Sequence, residues 1–398
     1  MQLITEEVKG FLGNSSMIRR MFEAGIELKK RYGEDKVYDF SLGNPDLPPP
    51  PQIKAAITEL AAGSDRPFAF GYMPNAGEPA ARKALAELVS REQGIDVPWR
   101  NIVVTVGAAG GINAFFRAVL ERGDEVICPS PYFVEYGFYV GNFGGRLKPV
   151  ATKPDFSLDT DAIAAAITPA TRAIILNSPN NPTGRIYTRA ELTAVADLLR
   201  AARAKTGRMI YLIADEPYRF LNFDGAEIPS MLDLYDGAVV IGSFSKSLSL
   251  PGERIGYAAV SPKLENAGEL LAALTLTNRI LGFVNAPVVA QKLIAKCWDC
   301  QVDLDIYRRR RDAMARVLTD AGIEFILPQG AFYFFPKSPT ADEKIFVNAL
   351  LEERVLAVPG SGFGMPGHFR LAFCVSEEVI RNSADSFKRA AAAVAAGK

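Results

Sequence analysis

Ala238-Val239-Val240-Ile241-Gly242-Ser243-Phe244-Ser245-Lys246-Ser247-Leu248, followed by Pro251-Gly252-Glu253-Arg254-Ile255-Gly256-Tyr257, is the stretch on which the reading of this chain turns. The apolar, β-branched run 238–241 predicts a buried strand, which puts Lys246 in a polar loop just past its carboxyl end. An open parallel sheet gathers its ligands at that edge. A lysine between serines, with an arginine eight residues on (254 − 246 = 8), suits one task. The amine can form an imine with an aldehyde while hydroxyls and a guanidinium hold a phosphate nearby. A single lysine in a serine-rich loop is usually no more than a solvated charge, so the other strand tips must carry the case.

They do so in order. Asn101 to Val106 reads as a strand that turns through Gly107-Ala108-Ala109-Gly110-Gly111 into a helix from Ile112 to Leu120. Free backbone amides and the positive end of a helix dipole then point at one spot, which makes an anion site. The turn is not G-x-G-x-x-G, and no acidic residue waits about 20 residues later at a strand end, so a dinucleotide is not indicated. Strands at 124–128, 172–176 and 209–214 deliver Tyr132-Phe133, Asn180-Asn181-Pro182-Thr183-Gly184 and Asp215-Glu216-Pro217-Tyr218. Residues 254–260 run back out of the lysine loop. Strand, polar tip and helix recur from 101 to 260, which predicts a mostly parallel sheet with helices on both faces.

Composition removes several alternatives. The chain has 398 residues, 48% of them apolar, enough for one large core and a smaller second one. Lys plus Arg and Asp plus Glu each number 45, so no net field favours nucleic acid or an anionic membrane. No run reaches the roughly 18 apolar residues of a membrane span. Residues 1–9 lack the basic-then-apolar order of a secretory signal, and a cytoplasmic protein is expected. Cys128, Cys297, Cys300 and Cys374 are too scattered for a disulfide framework and are read as reduced thiols, the C-x-x-C pair lying on a helix. His368 is the one histidine. A Ser-His-Asp hydrolase or a histidine-rich metal site is therefore not expected, and no metal is.

Outside the sheet, an arm spans 1–47, with helical spacing over 17–31 and a Gly43-Asn44-Pro45-Asp46 turn near its end. A helix at 52–62 and the loop Phe70-Gly71-Tyr72-Met73-Pro74-Asn75-Ala76-Gly77 lead into a helix at 78–92. After Ser261, strands and helices segregate as in a small α+β domain. A long helical stretch breaks near 285–287, and a basic amphipathic helix runs from 303 to 319. Then follow 323–327, a hairpin-like 330–335, a helix at 341–353, strands at 355–358 and 369–373, and one closing helix at 377–397. The expected units are an arm at 1–47 that shares in the small domain, a large domain at 48–290 and a small domain at 291–398. Arg370 lies between apolar strand residues, where a guanidinium needs a carboxylate partner.

Taken together, Tyr72 to Gly77, Asn181-Pro182-Thr183-Gly184, Asp215-x-x-Tyr218, Ser243-x-Ser245-Lys246, Arg254 and Arg370 resemble the class I/II aminotransferases, the pyridoxal-phosphate enzymes of fold type I. The motifs run from Gly43 to Arg370 in the family's order and spacing (215 − 181 = 34; 246 − 215 = 31).

The resemblance implies an amino-acid-metabolising transferase that moves an α-amino group from an L-amino acid to a 2-oxo acid such as 2-oxoglutarate, with pyridoxal 5′-phosphate as cofactor. Lys246 would bind the cofactor aldehyde and then act as the base at the substrate α-carbon. Asp215 would keep the pyridine nitrogen protonated, and Asn181 and Tyr218 would bond the phenolic oxygen. Phe133, rather than Tyr132, would stack on the ring. Ser243, Ser245, Arg254 and the Gly107, Ala108 and Ala109 amides would hold the phosphate. Tyr72 would reach it from a second subunit, which makes the protein a homodimer. Arg370 would grip the substrate α-carboxylate, with Gly43 and Asn181 closing over it. Aspartate-preferring relatives place a further arginine where this chain has Ile280, with Arg279 beside it, so the choice of side chain stays open. A β-lyase or decarboxylase would share these residues. A non-catalytic pyridoxal-binding regulator would need a DNA-binding domain for which the segment before Gly43 has no room.

Overall fold

The computed structural model describes residues 2–13 and 17–397. Residues 1 and 14–16 of the expected arm, and residue 398, lie outside the described residues. In chain order the strands are β1 (Tyr38–Asp39), β2 (Ile102–Thr105), β3 (Glu125–Ser130), β4 (Arg146–Ala151), β5 (Thr171–Asn177), β6 (Tyr211–Asp215), β7 (Ala238–Ser243) and β8 (Gly256–Val260). They are followed by β9 (Tyr333–Phe334), β10 (Val355–Leu356), β11 (Val358–Pro359) and β12 (Phe369–Ala372).

Strands β2 to β8 make one sheet in the order β2-β8-β7-β6-β5-β3-β4. It is parallel except at β8, which runs antiparallel to both β2 and β7. The expected α/β architecture is thus present, and the period-2 geometry of strands explains why its strands read as unbroken apolar runs. Ile174 and Leu176, Leu212 and Ala214, and Ala238 and Val240 face one apolar cluster, with Leu85 and Val89 from the helix Pro79–Gln93 and Leu293 and Ile294 from Val288–Cys297. Ala173 and Ile175, Tyr211 and Ile213, and Val239 and Ile241 face the other, with Phe115 and Phe116 from the helix Gly107–Val119 and Tyr136 from Glu135–Gly141. Both faces are dry.

A second apolar cluster belongs to residues 302–390 together with Phe40, Tyr218, Leu221 and Phe223. Here β11-β12-β9 form an antiparallel sheet, and β1 pairs parallel with β10, which ties the N-terminal segment to the C-terminal one. Arg370 sits on β12 opposite Val358.

Several local expectations are corrected. Lys246 is not in a loop but on a one-turn helix, Phe244–Ser247. The helix expected from Ile112 starts at Gly107, so the glycine-rich turn is itself the first helical turn. Residues 323–327 form no strand, and the closing helix is two, Glu377–Asn382 and Ala384–Ala395, broken at Ser383. Cys297 ends a helix while Cys300 lies beyond it; all four cysteines are free. Edge strand β4 was not anticipated: its residues are mostly exposed, so Arg146 and Lys148 interrupt any apolar pattern.

Pairing in register brings the polar strand ends together. Asn177 is level with Asp215, and Asp215 with Ile241, two residues before Ser243. Gly256 pairs with both Ser243 and Thr105. A Cβ on Gly256 would lie 2.6 Å from the Gly242 carbonyl oxygen and 2.7 Å from the Gly107 backbone. Gly256→Ala is therefore expected to lower folding stability by about 1–3 kcal/mol through overpacking and to push the start of the helix Gly107–Val119 out of place. Chemical denaturation measures the loss, and an unchanged midpoint would contradict this packing.

Candidate active site

Above those strand ends lies a cavity of about 270 Å³. It brings together Gly43, Ala108, Ala109, Phe133, Asn181, Asp215, Tyr218, Ser243, Ser245, Lys246, Arg254 and Arg370, which the sequence had placed at separate motifs.

At one end, the helix Gly107–Val119 begins and directs its first amides toward Ser243, Ser245 and Arg254. Gly107 (φ 68°) does not line the cavity but underlies it: a Cβ there would sit 2.9 Å from Arg254 Nη2. Arg254 is itself left-handed (φ 50°), with Nη1 donating to the Pro251 carbonyl at 2.8 Å. Unpaired amides, two hydroxyls and a guanidinium make a site for a dianion such as phosphate.

Midway, Asp215 ends β6 and is buried. Its Oδ2 accepts a 2.5 Å hydrogen bond from the Tyr136 hydroxyl, whereas Oδ1 is buried with no partner. Burial raises its pKa to about 7; the Tyr136 hydrogen bond opposes that rise and neighbouring Glu216 adds to it. Glu216 is held by Arg219 at 3.1 Å and by Gln93 at 2.9 Å, which anchors the tip from behind. The Asn177 amide donates to the Asp215 carbonyl at 2.8 Å and accepts from the Asn181 backbone at 2.6 Å, which stitches two tips together. A carboxylate so placed suits a cationic nitrogen, which would restore its charge.

Lys246 donates from Nζ to the Gly43 carbonyl at 2.5 Å. Its pKa is lowered to about 8, first by burial, with Cys374 opposing and Arg370 and Arg254 reinforcing. Such an amine is partly neutral near neutral pH, as a nucleophile or general base requires.

At the other end, Arg370 is buried between the rings of Tyr333 and Phe363, at 4.8 and 4.7 Å. Nη2 donates to the Ser41 carbonyl at 2.6 Å and Nη1 to Asn181 Oδ1 at 3.2 Å, while Nε has no partner. Burial lowers its pKa. No carboxylate of the chain bonds it among the described residues, so its charge is available to an anionic ligand.

Two named residues stand apart. Tyr132 does not line the cavity: its amide donates to the Phe363 carbonyl at 3.1 Å and its ring rests on Gly364, so Phe133 is the aromatic at the site. Tyr72 is 95% exposed and reaches no part of this cavity. Others went unread. Tyr136 and Tyr139 come from the helix Glu135–Gly141, Asn177 precedes the Asn181 motif, and Tyr333 bonds the Tyr218 hydroxyl at 2.8 Å. Only Asn177, a polar residue ending an apolar strand, carried a signal.

Among the described residues no group of three or more His, Cys, Asp or Glu is placed to hold a metal, and no helix is long and apolar enough to cross a membrane.

The profile of aminotransferase class I and II matches residues 35–387. The aspartate/prephenate aminotransferase of Thermus thermophilus is 34% identical over 371 residues, 92% of this chain and 93% of that one. The crystal structure of an aminotransferase from Eubacterium rectale superposes with a TM-score of 0.93 at 38% identity, covering 98% of each chain. The aspartate aminotransferase of Thermus thermophilus with maleate gives 0.87 at 31% identity, covering 98% of this chain and all 100% of that one.

The buried carboxyl yields a test on the ligand-free protein. A folded-state pKa near 7 against about 3.9 unfolded means that Asp215 withdraws stability as pH rises through that window. Asp215→Asn is therefore expected to be more stable than wild type at pH 8, by up to about 4 kcal/mol, with the gap closing toward pH 4. Calorimetry across pH measures it; a variant less stable at pH 8 would refute the assignment.

Proposed function

The chain belongs to aminotransferase class I and II, and from that premise we propose that it is a pyridoxal 5′-phosphate enzyme that moves the α-amino group of an L-amino acid to a 2-oxo acid, 2-oxoglutarate being the expected acceptor. One observation carries this reading. A single cavity is lined by Lys246, by Asp215 and Arg370, each with a buried polar atom that has no partner among the described residues, and by Ala108, Ala109, Ser243, Ser245 and Arg254.

These residues fit the cofactor. Ser243, Ser245, Arg254 and the Ala108 and Ala109 amides would hold its phosphate, over a Gly107 that leaves no room for a side chain. Phe133 would lie on the ring, Asn181 and Tyr218 would bond its phenolic oxygen, and Asp215 Oδ1 would meet its nitrogen. When bound, pyridoxal phosphate supplies an aldehyde that captures amines and a ring that accepts electrons. The chain supplies the rest. Lys246 Nζ takes the proton from the substrate α-carbon, a role its lowered pKa allows. Arg370 binds the α-carboxylate, and its two flanking rings exclude water from that contact. Asn181 fixes the guanidinium through Nη1.

We place the small unit over 1–47 and the C-terminal quarter, and the large unit from 48 onward. The helix Val288–Cys297 packs on the large core, which favours ending that unit after Cys297. A homodimer is supported by the exposed apolar residues Phe68, Phe70, Tyr72, Leu276 and Ile280, which a second copy would cover. Four free thiols favour the cytoplasm.

Lys246→Ala is expected to abolish the visible band that depends on the covalent link between lysine and cofactor, together with its pH dependence, and to lower turnover by at least ~10²–10⁴. Mixed with Tyr72→Phe protein it should regain activity, because a hybrid dimer then has one complete site; activity no higher than dilution predicts would place Tyr72 outside the partner's site. Arg370→Lys should raise KM for every amino donor alike, since an ammonium cannot reproduce the planar fork. A donor panel reads this out, and loss confined to one side-chain class would make Arg370 a side-chain reader.

A further inference from the structure

We propose that Tyr136 is a positioning residue for amino transfer: its hydroxyl engages one oxygen of Asp215 and so turns the other toward the cofactor nitrogen. This rests on the functional reading above and deepens it.

The main chain of Asp215 is already fixed by its ladder pairing and by the Asn177 amide. Rotation of its carboxylate is the freedom that remains. Tyr136 is 1% exposed, belongs to the helix Glu135–Gly141, and has Phe133 edge-on at 5.6 Å and 88°. Its ring cannot swing away. The hydroxyl reaches Asp215 Oδ2 at 2.5 Å, the one side-chain hydrogen bond to that carboxylate among the described residues, and Oδ1 of this cavity-lining residue is left buried and unpaired. One acceptor is spent on the protein and one is kept for a ligand.

The contact has an electrical consequence as well as a steric one. An O–H donated to a carboxylate stabilises its ionised form. Burial and the nearby Asp215 push the Tyr136 phenol far up, so it stays a donor. The other titratable groups facing Asp215 do not compete. Cys128, Tyr139 and Tyr218 are driven up by burial and stay neutral, and the carboxylate of Glu216 is taken by Arg219 and Gln93. Tyr136 thus sets how basic Asp215 is, and through it how firmly the ring nitrogen holds its proton. The same helix bears Phe138, whose ring meets Phe11 of the N-terminal helix Glu6–Gly13 at 4.8 Å, so the arm packs against the support of Asp215.

The test compares wild type, Tyr136→Phe, Asp215→Asn and the double variant, all loaded with pyridoxal 5′-phosphate. Two quantities are read besides activity: the pH midpoint of the visible absorption and the dissociation constant of the cofactor. Tyr136→Phe is expected to move the midpoint upward, to weaken cofactor binding about tenfold, and to lower kcat while leaving KM for amino donors unchanged. In the Asp215→Asn background the same substitution should alter neither the midpoint nor the affinity. Should Tyr136→Phe not fold, 3-fluorotyrosine at position 136 keeps the shape and strengthens the donor, and the midpoint should then move downward. A wild-type midpoint and affinity in Tyr136→Phe, an undiminished effect in Asp215→Asn, or no shift with fluorotyrosine would each overturn the inference. Failure of the wild type itself to take up the cofactor would instead overturn the functional reading, and this inference with it.

Discussion

Asp215 and Arg370 are buried on the wall of one cavity, each with a polar atom that nothing among the described residues satisfies. Leaving such an atom unpaired costs about 1–3 kcal/mol, more for a charged group. The penalty falls where a ligand of opposite charge would remove it: a cationic nitrogen at Asp215 and a carboxylate at Arg370. Between them Lys246 has only a neutral carbonyl for a partner, and burial brings its amine within reach of the free base. The site is thus least comfortable where the ligand-free chain exposes its chemistry to a low-dielectric space, and the surrounding sheet, dry on both faces, supplies the stability that permits it.

Register makes the convergence possible. Asn177, Asp215 and Ser243 come from three neighbouring parallel strands, and one change of direction at β8 brings Gly256 against Gly107. A slip of one residue in β6 would turn Asp215 to the opposite face of the sheet. The alternating apolar residues Tyr211 to Ala214 forbid that slip, because it would exchange the side chains of two differently shaped cores. Core packing therefore aims the Asp215 carboxyl.

This explains why the sheet and most of the site could be read in the sequence while other parts could not. Strands buried on both faces announce themselves as β-branched runs, and polar residues at or just past their ends draw attention: Asp215 ends β6, while Asn181 and Lys246 lie a few residues beyond β5 and β7. Strand β4 has five of its six residues at least partly exposed and carries no such signal. Tyr136 and Tyr333 were missed because a tyrosine buried by its ring and used by its hydroxyl looks, in sequence, like any core aromatic. In Gly330-Ala331-Phe332-Tyr333-Phe334-Phe335 nothing marks Tyr333 apart, yet its hydroxyl meets that of Tyr218 and its ring supports Arg370. Lys246 was placed at the right strand end in the wrong local conformation, since a single helical turn of four residues has no periodicity to detect.

The segment from Ser41 to Asp46 shows how such groups are kept occupied without being neutralised. Its Ser41 carbonyl accepts from Arg370 and its Gly43 carbonyl from Lys246, while the Cys374 thiol lies against the carbonyls of Leu42 and Asn44 at 3.6 and 3.5 Å. Every one of these acceptors is neutral. These carbonyls leave the positive charge of Arg370 unneutralised, so a carboxylate adds an ionic attraction that the Ser41 carbonyl cannot supply. Two residues beyond Asn44, the bidentate pair of Arg310 with Asp46, at 2.6 and 2.9 Å, involves no group that the chemistry needs. The segment is thus held to the cavity by neutral carbonyls and at its far end by an ion pair. Gly43 lies so close to Tyr333 that a Cβ would collide with its hydroxyl, so this approach to the cavity requires glycine.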